Sequence, residues 1–339
     1  MGMNKIRYAA ALVLLVGMVL SGCGSQDTRD TARPRGTPFQ YDGGQGQLVG
    51  LDSAKLPAIG GGAIWFKEHL YINVKGKGIM KASIQEKELV PDPSGQVLTN
   101  RPARDMSSDG SRVYLTNYYH TYCLDGDTVT GLVSRDFGNF TAIPGSNKAY
   151  QWMENQPFRE LTLSNGIAVS EGPSFLKDYS QFTDPVHTIM DAVADKNSLY
   201  LLGTFTEPAS GADVSAVYAF SHSGTFQHKY GTADIHQADC IAEGQVMALT
   251  ADYVLVAKSR YIYIFKNGGA FQGKITLTGL GLFLPIHQLI PLEGNNVLLW
   301  CSGTDHDEAL AKKAAGQPYD EEIFETDAKA IAHFYILEL

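Results

Sequence analysis

One phrase recurs along this chain and limits its fold more than any other feature. It is a short strand, an acidic or glycine turn, then an apolar-aromatic strand. It reads RDMSSDGSRVYLTN at Arg104–Asn117 and MDAVADKNSLYLLG at Met190–Gly203. Weaker copies are GGAIWFKEHLYIN (Gly61–Asn73), TAIPGSNKAYQW (Thr141–Trp152), QVMALTADYVLVAK (Gln245–Lys258) and QLIPLEGNNVLLW (Gln288–Trp300). Marking Tyr71, Tyr114, Tyr150, Tyr200, Leu255 and Leu298 gives spacings of 43, 36, 50, 55 and 43 residues. Units of about 40–50 residues with four strands each are what β-propeller blades require. Six copies imply six blades.

The strands themselves are legible as short runs rich in Val, Ile, Tyr, Phe and Thr, such as Leu199–Phe205, Val214–Phe220 and Tyr261–Phe265. Turn dipeptides flank them, among them Asp109-Gly110, Asn165-Gly166 and Asn267-Gly268, and period-two runs joined this way read as hairpins. Helical periodicity is nearly absent between Gly50 and Ser302. The expected class is therefore all-β, with five or seven blades, or a sandwich, as the alternatives to six. The last strand, Ile331–Leu337, needs a partner. Gln47–Leu51 can supply one, closing the ring and removing an exposed edge. One segment departs from the pattern: 303–329 is rich in Ala, Glu and Lys, with helix formers over Glu308–Ala315 and Asp320–Asp327. It reads as an insertion between strands of the last blade, lying over one face. The repeat does not match WD40, kelch or tryptophan-docking signatures.

The N-terminus gives an address. Lys5 and Arg7 precede an apolar run, Tyr8–Leu20, and then Leu20-Ser21-Gly22-Cys23. A positive start, a short apolar core and small residues at a cleavage point make a secretory signal. The run is too short for a comfortable helical span, which takes about 20 residues. Leu-Ser-Gly-Cys resembles the lipobox of bacterial lipoproteins. That resemblance implies cleavage after residue 22, diacylglycerol on the Cys23 thiol, and attachment outside the cytoplasm at the cell membrane. In such families an Asp after the cysteine signals inner-membrane retention; Gly24 stands there instead. Gly24–Pro38 contains no large apolar side chain and reads as a tether, giving domains of 1–22 (signal), 23–38 (lipidated Cys and tether) and 39–339 (propeller).

Charge and cysteines narrow the partners. The chain has 27 Lys and Arg against 36 Asp and Glu, and removing Lys5 and Arg7 with the signal leaves a formal charge of −11. That excess argues against nucleic acid as a partner. With Cys23 acylated, Cys123, Cys240 and Cys301 remain, so at most one disulfide can form within the chain; three small buried thiols are the simplest reading.

The candidate chemistry lies where strands enter the ring. His187 precedes Asp191, His236 precedes Asp239, and His287 adjoins Gln288, with the histidines 49 and then 51 residues apart. Asp105 occupies the matching place in the second blade. Residues ahead of inner strands converge at one rim of a propeller channel. There they can hold a divalent cation or a polar ligand, or simply line a wet channel. Other motifs are weak. DHDE at Asp305–Glu308 lacks the spacing of a calcium loop, and GGAFQGKI at Gly268–Ile275 misses the phosphate-loop Ser/Thr and reads as a hairpin turn. Tyr118, Tyr119 and Tyr122 with His120 read as strand packing.

Two functions remain open. The first is a non-catalytic, membrane-anchored lipoprotein whose propeller binds an envelope protein partner or a ligand. The second is a metal-dependent hydrolase of lactonase or esterase type with its site at the channel mouth, an analogy of fold alone.

Overall fold

A strand with β-branched and aromatic residues on both faces cannot leave either face in water, and this chain solves the problem by stacking sheets side by side. The computed structural model describes residues 36–339 apart from 55, 57–58, 95–96, 101–102, 118, 135–137, 154–157 and 177–179. The signal segment, Cys23 and nearly all of the tether lie outside the described residues.

The hairpin β1 (Thr37–Tyr41) and β2 (Gly44–Leu51) comes first, so sheet structure starts two residues before the boundary expected at 39. Blade 1 is β3 (Ile59–Phe66), β4 (His69–Val74), β5 (Gly78–Gln85) and β6 (Glu88–Pro91), with short β7 (Val97–Thr99) also paired to β5. Blade 2 is β8 (Asp105–Ser108), β9 (Val113–Thr116), β10 (Thr121–Asp125) and β11 (Thr128–Ser134). Blade 3 is β12 (Asn139–Ala142), β13 (Lys148–Trp152), β14 (Phe158–Ser164) and β15 (Ile167–Phe175). Blade 4 is β16 (Thr188–Ala194), β17 (Ser198–Thr206), β18 (Asp213–Ser221) and β19 (Phe226–Tyr230). Blade 5 is β20 (Val246–Leu249), β21 (Tyr253–Lys258), β22 (Tyr261–Lys266) and β23 (Phe271–Thr276).

Blade 6 is assembled from both ends of the chain. β24 (Ile286–Pro291), β25 (Val297–Thr304) and β26 (Ala330–Glu338) are completed by β2, with β1 outside it. β2 runs antiparallel to β26, from Gln47 opposite Glu338 to Leu51 opposite Phe334, which is the closure expected from the sequence. The inner strands touch in a closed cycle: β3, β8, β12, β16, β20, β24 and back to β3. The protein is thus a six-bladed β-propeller.

The marked residues explain the repeat. Each lies on the second strand of its blade and packs in a cluster shared with the following blade: Tyr71 with blade 2, Tyr114 with blade 3, Tyr150 with blade 4, Tyr200 with blade 5, Leu255 with blade 6 and Leu298 with blade 1. The six clusters are the six interfaces between neighbouring blades, which together form the core. The acidic turn has its own cause. Asp109 accepts the Ser111 and Arg112 amides, both at 2.7 Å, and the Tyr114 hydroxyl at 2.7 Å. Asp195 holds the Asn197 and Ser198 amides and the Tyr200 hydroxyl in the same way. One carboxylate thereby closes the turn and anchors the phenol that packs on the next blade. The Asn165-Gly166 turn between β14 and β15 has φ of 48° and 76°, the paired positive angles a two-residue hairpin needs.

Between β25 and β26 lies the expected insertion. The helix α1 (Asp305–Ala314) starts at Thr304, whose hydroxyl accepts the Asp307 amide while the Asp307 carboxylate accepts the Thr304 amide. A short 3-10 turn (Glu321–Glu325) packs back on it, with the His306 ring bonded to the Ile323 carbonyl at 2.8 Å. The DHDE run is thus the acidic first turn of a helix, where negative charge favours the exposed amides. Gly268 and Gly269 form the β22–β23 turn, so the phosphate-loop near-miss is a hairpin turn. Cys123, Cys240 and Cys301 are all buried free thiols.

Leu337 is fully buried on β26, opposite both Leu48 and Val297, in the cluster between blades 5 and 6. Leu337→Ala should cost about 2–5 kcal/mol of unfolding free energy in a urea titration, because the closure is packed on both faces. A change below the error of the titration would mean the ends are not part of the cooperative core.

Candidate functional site at the channel mouth

The inner strands surround a channel of about 600 Å³ to which all six blades contribute. Register defines its levels. The marked residues pair with Ile64, Ser107, Thr141, Val193, Ala248 and Ile290. Two residues earlier on each inner strand, towards the rim where these strands begin, stand Gly62, Asp105, Asn139, Asp191, Val246 and Gln288. Four of the six are polar, at one level of the mouth.

Most of that polar ring is spent on joining blades. Asp191 accepts its neighbour's amide, Ala192 N, at 2.8 Å and reaches into blade 5 to accept Met247 N at 2.8 Å. Gln288 grips blade 1 twice: its Oε1 accepts Ala63 N and its Nε2 donates to Ala63 O, both at 2.9 Å. Asn139 accepts from the Arg104 guanidinium, and Ser107 Oγ, one level deeper, accepts Ala142 N at 3.2 Å. Asp105 differs. Its Oδ1 accepts Met106 N at 2.7 Å, while Oδ2 accepts no hydrogen bond from a described residue. Gly62 has a steric reason to be in the ring: a Cβ there would meet the Arg104 carbonyl at 2.8 Å and Asp105 Cα at 2.9 Å.

Two bulges aim further side chains inward. The register slips between Ile189 and Asp191 and again between Ile286 and Gln288, leaving Met190 and His287 as the extra residues. Both line the channel, and Met190 is 46% exposed overall. The His287 ring sits 4.4 Å from the Trp300 ring. Burial holds its pKa below the usual histidine range, against the effect of a hydrogen bond with the Gly61 backbone. Both carboxylates line the channel. Burial raises the Asp105 pKa, with the Met106 amide and the Arg104 charge opposing it. Burial also raises Asp191, to about 7, with the negative charge of Asp105 adding to the effect and the Met247 and Ala192 amides opposing it.

Of the seven residues singled out in the sequence, the structure brings Asp105, Asp191, His287 and Gln288 to this mouth. It places the other three elsewhere. His187 precedes β16 and is exposed, its Nδ1 3.0 Å from Thr188 Oγ1 and its Nε2 3.7 Å from Asp213. His236 and Asp239 lie in the connection between β19 and β20; the His236 amide donates to Asp234, and the Asp239 carbonyl accepts Thr232 N. The histidine spacing matches a blade length, but cross-strand pairing sets the level. Blade 5 begins its inner strand at Val246, so Val246 takes the place expected of Asp239. Among the described residues, no group of three or more His, Cys, Asp and Glu side chains is arranged to hold a metal ion. Sequence reasoning missed Asn139, Ser107 and Met190; counting back from the cross-strand partner of each mark would have found the first.

The two faces of the ring differ. Far-face connections are tight turns, the longest being 143–147 and 292–296. Mouth-face connections include 176–187, 231–245, 277–285 and the 305–329 insertion. Tyr119, on the mouth-face loop of blade 2, is exposed, whereas Tyr122 is buried against the blade 1–2 interface, and Tyr118 lies outside the described residues.

No protein-family model and no curated protein matches this chain. Solved structures overlap it at low identity. The WD40 β-propeller domain of Doa1 is 11% identical over 76% of this chain and 83% of that one, with a TM-score of 0.47. The RRP9 WD40 repeats are 10% identical over 75% and 76%, with a TM-score of 0.46, and U3-55K is 10% identical over 86% and 98%, with a TM-score of 0.49. The blade count rests on the sheet order described above, and these likenesses carry no functional argument.

Asp191 titrates near 7 folded against an ordinary 3.8, so the folded state holds its proton more tightly. Its stabilising contribution is full below the unfolded value and is lost as pH rises through 7. In Asp191→Asn the fall in urea midpoint from about pH 5 to about pH 8 should shrink relative to the parent. An identical fall in both proteins would remove Asp191 as its source.

Proposed function

We propose that this chain is an extracytoplasmic lipoprotein, anchored through acylated Cys23, whose propeller is a binding module for a partner at its mouth face. One observation carries the reading: the long connections, the helical insertion and the partly open polar ring all belong to that face, while the far face is trimmed to turns. A rigid ring with elaborated loops on one side is a scaffold for recognition. The insertion adds exposed apolar groups, Leu310 at 54% and Phe324 at 40%, in a segment carrying Asp320, Glu321, Glu322, Glu325 and Asp327. The hydrolase reading has no such support: Asp191 and Gln288 are engaged with backbone, and among the described residues no third His, Cys, Asp or Glu side chain is arranged with Asp105 and Asp191 to hold a metal ion.

Two measurements test the two halves. Mass spectrometry of the membrane fraction should find a diacylglycerol-modified Cys23 at the mature N-terminus, and Cys23→Ser should release the protein from membranes. Retention of an unmodified chain would contradict the anchor. A photo-reactive benzoylphenylalanine at Phe324 should trap a protein adduct in intact cells, whereas one at Lys87, in a far-face turn, should not. Equal trapping from both positions would contradict the polarity of binding.

A further inference from the structure

The polar ring leaves one acceptor unspent. Asp191, Asn139 and Gln288 each bond to another blade or its edge, but Asp105, which lines the channel, has an Oδ2 that accepts no hydrogen bond from a described residue. The described lining residues include two basic side chains: Arg104, whose guanidinium bonds to Asn139 and whose charge also acts on Asp105, and His287, whose pKa burial holds below the usual histidine range. Against this stands Asp191 on the same level, close enough for the two negative charges to feel each other. A second, independent feature is apolar. Met190, 46% exposed overall, lines the channel, and Val193 and Val246 line the same space. An exposed methionine on an inner strand is surface that water covers poorly, and a bulge places it there at the mouth.

We propose that the channel mouth receives a primary ammonium group on an aliphatic stem, with the ammonium on Asp105 Oδ2 and the stem against Met190 and Val246. The volume, about 600 Å³, suits such a ligand. An ammonium offers three donors, and beyond Oδ2 the Asp191 oxygens retain second lone pairs after accepting their amides. A calcium ion, by contrast, would need six to eight oxygens, and five of the six side-chain oxygens on this level already accept a hydrogen bond. The inference rests on the binding-module reading and names the chemistry the mouth selects; the ammonium belongs either to a free amine or to a lysine side chain of the partner.

The test titrates the full-length protein in mild detergent, near pH 8, followed by calorimetry. The probes are n-butylammonium, methylammonium, n-butanol, Nα-acetyl-lysine methylamide and calcium. Butylammonium should saturate one site, butanol should not, and Asp105→Asn should weaken butylammonium by about ten-fold or more. Asp105→Asn removes a poorly solvated charge, and unchanged cooperative unfolding checks that it still folds. Met190→Ala, which leaves the charges alone, should weaken butylammonium more than methylammonium. Lysine-derivative binding equal to butylammonium supports a side-chain source, and its failure beside butylammonium binding supports a free amine. Equal binding of butanol, indifference to Asp105→Asn, or Asp105-dependent saturation by calcium at lower concentration would each overturn the proposal. Loss of the Phe324 adduct with ammonium binding intact would count against the binding module alone.

Discussion

The pairing of β2 with β26 is the contact on which the rest of the molecule depends. Each blade is a small twisted sheet with apolar side chains on both faces, and such a sheet is stable only between two others. An open row of six would leave blade 1 and blade 6 with one bare face each. Completing blade 6 with the first strands of the chain locks those two blades together and buries Leu51, Leu70, Ile290 and Leu298 between them. It also leaves no unpaired strand between the ends, where edge-to-edge association would otherwise begin. The interface clusters on either side of blade 6 include residues from β1 or β2, so the hairpin belongs to the core.

Closing the ring has a cost at its centre. Inner strands converge, their side chains crowd one channel, and backbone amides at the rim lose water. The polar ring offsets this: the Asp191 carboxylate and the Gln288 amide satisfy backbone groups of the next blade, much as a cap satisfies a helix end. Gly62 completes the level where no side chain fits. Asp105 is the member whose second oxygen accepts no hydrogen bond from a described residue, and it is there that we propose a binding role in place of a stitching one.

What was legible in the sequence follows from this physics. The marked Tyr and Leu residues recur because each must fill the seam to the next blade, and the turn Asp recurs because it anchors the Tyr two blades apart, at Tyr114 and Tyr200. That periodicity gave the ring, its blade count, its closure and the insertion. The site was less legible. Histidines at nearly regular intervals looked like a converging set, yet His187 and His236 stand ahead of their inner strands, because loop lengths differ while cross-strand register does not. Met190 carries no motif; only the bulge beside Asp191 turns it inward. Asn139 was hidden because blade 3 is a weak copy of the repeat, its turn carrying Gly145 where blades 2 and 4 carry an Asp.

Truncation of the chain at its N-terminus tests closure most directly. A protein starting at Gly36 should unfold cooperatively with the midpoint of the mature protein, and one starting at Asp52, without β1 and β2, should lose that single cooperative transition. If the protein starting at Asp52 unfolded with the same midpoint and the same steepness, the ring would not depend on the pairing of its two ends.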